Sequence, residues 1–219
     1  MSKVKNVLFV VFVMMFFIGV ILVTDYDKMK KYQNGEVSDL ADLGYRQIQT
    51  GDLVSGDVNY VLDTVAEEYE TKFGIRISDD STKLYYIIGL PNSYAVYETN
   101  NKQEYETLDE ICNETWEYLN DEGSSVPAPV TSLKVQGEVK KMDDKVAGYF
   151  KDWFKEQADF TDEDFEKNTE VYMISRTNLD GFQRSVYVGF GLAAAGIVGT
   201  AVLLVLKIKE KKQSSQEFY

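Results

Sequence analysis

With no histidine and one cysteine among 219 residues, any chemistry this chain performs must run on carboxylates, hydroxyls and lysines. Ser-His-Asp and Cys-His pairs are excluded. So are the usual acid–base switch near neutral pH and most zinc geometries. The densest carboxylate group is Asp159, Asp162, Glu163, Asp164 and Glu166. Calcium takes six to eight oxygen ligands and is the cation such a group would hold, but the glycine and the twelve-residue ligand pattern of an EF-hand are missing. A solvated acidic turn accounts for these residues, and for Asp79-Asp80. Glycoside hydrolysis needs two carboxylates at a set separation, which a sequence does not contain. No Ser-x-x-Lys stands in a convincing context. The segment from Gly51 to Gly56 lacks dinucleotide-binding spacing and has acidic neighbours. No catalytic, cofactor-binding or metal-ligating residue is therefore assigned.

The most specific interaction signal is steric. Gly191, Ala195 and Gly199 stand four apart inside an apolar stretch, and Gly189, Ala193 and Gly196 widen the slim surface. Small residues let helix backbones approach closely in a membrane. The ridge predicts association, either with the other apolar segment through Gly19 or with another subunit, a second copy or a different membrane protein.

Two elements position these residues. Residues 7–23 carry no charged or polar side chain, and 186–206 have Tyr187 and Thr200 as their most polar members. About 20 helical residues cross a bilayer core of roughly 30 Å. The second stretch meets that length, and the first does so by extending to residue 25. We therefore expect a short N-terminal segment (1–6), a first transmembrane helix (7–25), an acidic domain (26–185), a second transmembrane helix (186–206) and a basic tail (207–219). A cleaved signal peptide is disfavoured by the long apolar run and the lack of a small-x-small cleavage site after Gly19.

Lys207, Lys209, Lys211 and Lys212 follow the second stretch, whereas Arg176 and Arg184 precede it. The positive-inside rule then places both termini in the cytoplasm and the central domain outside, at the cell membrane. Residues 24–185 hold 34 acidic against 17 basic side chains. That field disfavours nucleic acid as a partner. The lone Cys112 permits no internal disulfide, so the domain must be held by its core, and such cysteine economy suits a bacterial protein. The sequon at Asn113 falls in an expected helix and reads as chance.

The central segment predicts an α+β domain with a mixed or antiparallel sheet of about six strands and two packed helices. A short helix is expected over residues 38–43 with Ser38 as cap, then strand-like sequence from Tyr45 through 53–54 and 58–62. Residues 61–73 suit either a helix or a strand, and 78–81 suit a loop. The run 84–90 is the strongest central strand, paired through a Pro91-Asn92 turn with 94–97. Asn101 caps a helix with Glu104 reaching back. Tyr105, Leu108, Ile111, Cys112, Trp116 and Leu119 form its inward stripe, which makes Cys112 a core thiol. Leu133, Val135, Gly137 and Val139 alternate with polar residues, so Gly137 marks close backbone packing. A second helix covers 143–157, with Val146, Phe150, Trp153 or Phe154, and Gln157 inward. Thr161 caps a short acidic turn, and 170–175 form the last strand.

Five stretches carry a family likeness: Gly51-Asp52-Leu53-Val54-Ser55-Gly56-Asp57-Val58, Ala66-Glu67-Glu68-Tyr69, Tyr85-Tyr86-Ile87-Ile88, Leu133-Lys134-Val135-Gln136-Gly137 and residues 142–150. In these the chain resembles an uncharacterised family of two-span membrane proteins from Clostridia-like Gram-positive bacteria. The resemblance implies the architecture and no activity.

The leading expectation is a non-enzymatic, membrane-anchored binding, scaffold or accessory domain. The alternative is a carboxylate-dependent envelope enzyme or metal-dependent sensor, which requires carboxylates and tyrosines with shifted pKa values converging in a pocket.

Overall fold

The computed structural model describes residues 3–43, 47–73, 75–121 and 126–216, without the side chains at 78–80, 211 and 213–216. The chain divides into two compact units. One combines the terminal segments, up to Asn34 and from Leu179, and the other is Gly35–Asn178.

The first unit contains α1 (Lys3–Val23), α2 (Tyr26–Gln33) and α6 (Leu179–Gln216). Both α1 and α6 are long and apolar enough to cross a membrane. They pack antiparallel, with Lys5 of α1 ion-paired to Glu210 of α6. Close approach depends on missing side chains. A Cβ on Gly196 would fall 2.6 Å from the Phe12 carbonyl oxygen and the Phe16 nitrogen, and one on Gly189 would fall 2.9 Å from the Gly19 carbonyl oxygen. The covered positions of α6 include Phe182, Val186, Gly189, Gly196 and Leu203, spaced by four, three, seven and seven residues. That spacing makes one face of a helix.

The second unit is a seven-stranded mixed sheet ordered β1-β2-β6-β7-β5-β4-β3. Its strands are β1 (Val37–Asp39), β2 (Leu53–Val58), β3 (Val61–Lys72), β4 (Ile75–Leu90), β5 (Ser93–Thr99), β6 (Leu133–Lys141) and β7 (Thr169–Arg176). Helices α3 (Lys102–Asn120), α4 (Asp144–Gln157) and α5 (Asp162–Asn168) complete it. Two cores separate by strand alternation. Tyr86, Ile88 and Tyr97 join Leu108 and Ile111 of α3, while Tyr85, Ile87 and Val96 join Val146, Phe150 and Phe154 of α4. Residues 85–88 are consecutively buried because both faces of β4 are covered.

Several local expectations change. The turn after β1 is a 3₁₀ helix, Leu40–Asp42, capped by Asp39, whose carboxylate accepts from the Ala41 amide at 2.9 Å. Ser38 lies in β1. Tyr45 falls outside the described residues. Residues 78–81 lie within β4 rather than in a loop: Ser81 pairs with Tyr69 of β3 and Arg76 with Thr71, and the residues between them form a bulge in the ladder. On α3 the buried positions are Leu108, Ile111 and Thr115, while Leu119 is 53% exposed. Trp116 lies at the edge, its indole nitrogen donating to the Leu62 carbonyl at 2.7 Å. On α4, Phe154 is buried and Gln157 is exposed. Gly137 is tightly packed as expected: a Cβ there would lie 2.5 Å from Ile174 Cγ2 and 2.9 Å from the Ser175 carbonyl oxygen.

Candidate functional site

A cleft of about 670 Å³ opens at the end of the sheet where β2 and β4 finish and β3 and β5 begin. Its floor is apolar, from Val58, Leu62 and Leu90. Asp57, Asn59, Asn92 and Asn168 supply polar residues to the lining, with Tyr60 and Tyr94 beside them. The C-terminal turns of α3 contribute Thr115 and Leu119 as one wall. Volume and lining fall in the range of small-ligand and peptide sites, which are largely apolar with a few polar groups fixing orientation.

The walls are tied down by local sequence. Gly89 donates its amide to the Tyr60 carbonyl at 3.0 Å. A Cβ on Gly89 would stand 3.1 Å from Tyr60 Cβ, so glycine lets Tyr60 lie across the strand end. Gly56 makes room in the same way for Leu40, whose Cβ would be 2.8 Å away. Thr115 Oγ1 accepts from the Val61 amide at 3.3 Å and donates to the Ile111 carbonyl at 2.7 Å, locking α3 to the start of β3. The hydroxyl of Ser93 donates to Glu170 Oε1 at 3.2 Å. Glu170 is 1% exposed and braces the β4–β5 turn from below. Among the described residues lining the cleft Asp57 is the one carboxylate. The groups that the described lining would offer a ligand are chiefly amides and hydroxyls.

A second polar centre lies at the opposite end of the sheet. Glu104 accepts from Tyr97 Oη (2.9 Å), Thr99 Oγ1 (2.6 Å), Asn101 Nδ2 (3.0 Å) and Arg176 Nε (2.6 Å). Burial works to raise the Glu104 pKa, but these hydrogen bonds, that of Arg176 foremost, outweigh it and hold the carboxylate below its ordinary value. Burial, reinforced by the Glu104 charge and hydrogen bond, pushes the Tyr97 hydroxyl up. A shallow pocket of about 290 Å³ beside this centre is lined by Glu104, Lys134, Gln136, Arg176, Thr177 and Asn178. The network joins the start of α3 to the ends of β5 and β7 and is a structural clasp. The sequence disclosed Glu104 as a capping residue but not Arg176 as its partner.

The other residues singled out from sequence are dispersed. Burial, with Asp63 and Asp109 nearby, pushes the half-buried Cys112 thiol up to about 11, and Sγ donates to the Leu62 carbonyl at 3.3 Å. Asp162 is held at about 2 by hydrogen bonds from Lys151 and Lys155, both at 2.8 Å. Asp164 closes a capping box with Thr161, and Glu163 pairs with Lys167. Each of these three carboxylates is thus committed to a local partner, and among the described residues no group of three or more His, Cys, Asp or Glu is placed to hold a metal ion. Gly191 and Ala195 are exposed, and a Cβ on Gly191 would meet nothing within 4 Å. Gly199 instead packs on the Phe12 ring.

A family model described as a domain of unknown function (DUF8577) matches residues 1–209. No curated protein and no solved structure matches the chain.

Proposed function

The chain belongs to the DUF8577 domain family, whose extent takes in both hydrophobic helices together with the sheet domain, and on that footing we propose that all three serve one task. In this reading residues 7–25 and 186–206 anchor the chain in the cell membrane with both termini cytoplasmic. The acidic domain between them is a non-enzymatic extracytoplasmic binding or scaffold module. The lysine-rich tail supports the orientation, and the Lys5–Glu210 pair supports a hairpin with both ends on one side.

One observation carries the binding role. The cleft lies at the sheet end opposite the two points where the chain leaves the domain. Val37, at the start of β1, is level with Leu53 at the start of β2, and Arg176, at the end of β7, is level with Gly137 and through it Val54. The cleft lies beyond Val58, at the other end of β2. A site facing away from its own tethers is open to a partner. The competing reading, an envelope enzyme, needs convergent acid and base groups, and among the described lining residues Asp57 is the one carboxylate.

The test is site-specific photocross-linking in cells that carry the full chain. A benzophenone residue at Asn92 or Leu119, on the cleft, should give a discrete adduct that one at Tyr149, an exposed position on α4, does not. No adduct from the cleft positions, or the same adducts from all three, defeats the reading.

A further inference from the structure

The β3–β4 hairpin runs past the rest of the sheet. The last β4 residue paired with β5 is Leu84, opposite Thr99 and, across β3, opposite Glu67. Residues 68–72 of β3 continue beyond it, paired with residues 75–83 of β4 across a bulge. Five residues at about 3.3 Å each make an arm of roughly 16 Å. The arm leaves the sheet at the end level with Val37 and Arg176, where the chain enters and leaves the domain.

Its apex has the wrong residues for a solvated turn. Phe73 is 95% exposed, Ile75 70% and Ile77 52%. Phe73 also has φ 53°, a left-handed conformation that suits glycine or asparagine and penalises a bulky side chain. Neither burial nor turn geometry accounts for a phenylalanine there. The charge pattern reverses as well. On a domain of strongly acidic composition, residues 71–77 carry Lys72 and Arg76 and no carboxylate, whereas Glu68 and Glu70 stand lower on the arm and Glu67 at its root. The guanidinium of Arg76 stacks 3.4 Å over the Tyr69 ring, holding a cation near the tip.

We propose that this apex is a lipid-contacting tip that inserts Phe73, Ile75 and Ile77 into the interface of an anionic bilayer. A narrow projecting tip with three apolar side chains is too small for a stable protein interface, which takes a broad patch. It is well shaped for the headgroup zone, where apolar groups enter and flanking cations meet anionic lipid. The acidic shaft limits the depth, because its carboxylates stay in water. The inference rests on the membrane-anchored reading and is independent of the cleft.

The experiment uses the full chain with Cys112→Ser and Ile75→Cys, labelled with an environment-sensitive fluorophore. It is reconstituted into vesicles of phosphatidylglycerol and phosphatidylcholine (3:7) or of phosphatidylcholine alone. The melting temperature of the Cys112→Ser chain is compared with wild type first. Brominated acyl chains should quench the Ile75 label at least several-fold more than the same label at Asn92→Cys. Quenching should weaken in pure phosphatidylcholine and in Lys72→Glu/Arg76→Glu. Equal quenching at the two sites overturns the proposal. So does an Ile75 label shielded from aqueous iodide but untouched by brominated lipid, which is the signature of a protein partner. Flotation with the vesicles reports the anchoring helices separately, and a chain that does not float overturns the reading on which the proposal rests.

Discussion

Replacing Glu104 with alanine removes the acceptor for four donors at once. Tyr97, fully buried, keeps a hydroxyl with no acceptor at that position, and Arg176, with its side chain 32% exposed, loses its counter-charge. A hydrogen bond to a charged group contributes about 1.5–3 kcal/mol, and a buried donor left unsatisfied costs about 1–3 kcal/mol. These terms share one carboxylate and do not add. Breaking a fully buried ion pair costs about 3–5 kcal/mol, and partial exposure of Arg176 places this one near the lower figure, about 3 kcal/mol. At roughly 3–4 °C per kcal/mol for a domain of this size, Tm falls by about 10 °C. Thermal unfolding of the full chain in detergent, followed by fluorescence of Trp116 and Trp153, measures it. The pH dependence supplies a second readout. The folded-state pKa of Glu104 lies below its ordinary value of 4.5, so its contribution is fully present above that pH and is lost as pH falls through the folded value. The stability gap between wild type and Glu104→Gln should therefore be constant near neutrality and close in acid. A drop of less than about 1 kcal/mol in Glu104→Ala, or full additivity with Arg176→Ala, refutes the clasp.

Gly196→Val should separate α1 from α6 by about 1–3 kcal/mol of overpacking, whereas Gly191→Val should leave the pair intact. Oxidative cross-linking of a Lys5→Cys/Glu210→Cys chain reads both. If Gly191→Val instead lowers the oligomeric state of the chain measured in detergent, its exposed face is a subunit contact. Cys112, with its pKa near 11, should react with iodoacetamide at pH 8 on the order of 10²-fold more slowly in the native chain than in urea. Gly137→Ala should destabilise the domain by about 1–3 kcal/mol, because the new methyl group meets both the Ile174 side chain and the Ser175 carbonyl, and chemical denaturation measures the loss.

The elements that follow from side-chain burial were legible in the sequence. Alternation exposed β6 and its tight glycine, the apolar run 84–90 marked a strand covered on both faces, and Asn101 with Glu104 announced α3. What depended on backbone pairing was not. Residues 78–81 are polar and look like a loop, but pairing on either side, Arg76 with Thr71 and Ser81 with Tyr69, keeps them within the strand as a bulge. Trp116 matches the helical period and still lies at the edge of the core, because its indole N–H reaches the Leu62 carbonyl there. The cleft was illegible for a different reason. Asp57, Leu90, Thr115 and Asn168 meet only once the strand order is set. Glu170 shared that fate, as a carboxylate opening a strand gives no sign of its burial beneath Ser93. The small-residue ridge was visible as a pattern, yet the choice of Gly189 and Gly196 for α1 rather than Gly191 depended on the partner's shape.

The position of β7 sets the order in which the molecule is made. It is the last strand in the chain and lies between β6 and β5, joining a β1-β2-β6 half to a β5-β4-β3 half. Until residue 176 has emerged, each half has an open edge where β7 belongs, and neither core is closed. Two residues separate β7 from α6. The ribosome therefore completes the sheet and begins the second hydrophobic helix almost together, so the newborn domain stays half-assembled until the chain is nearly finished.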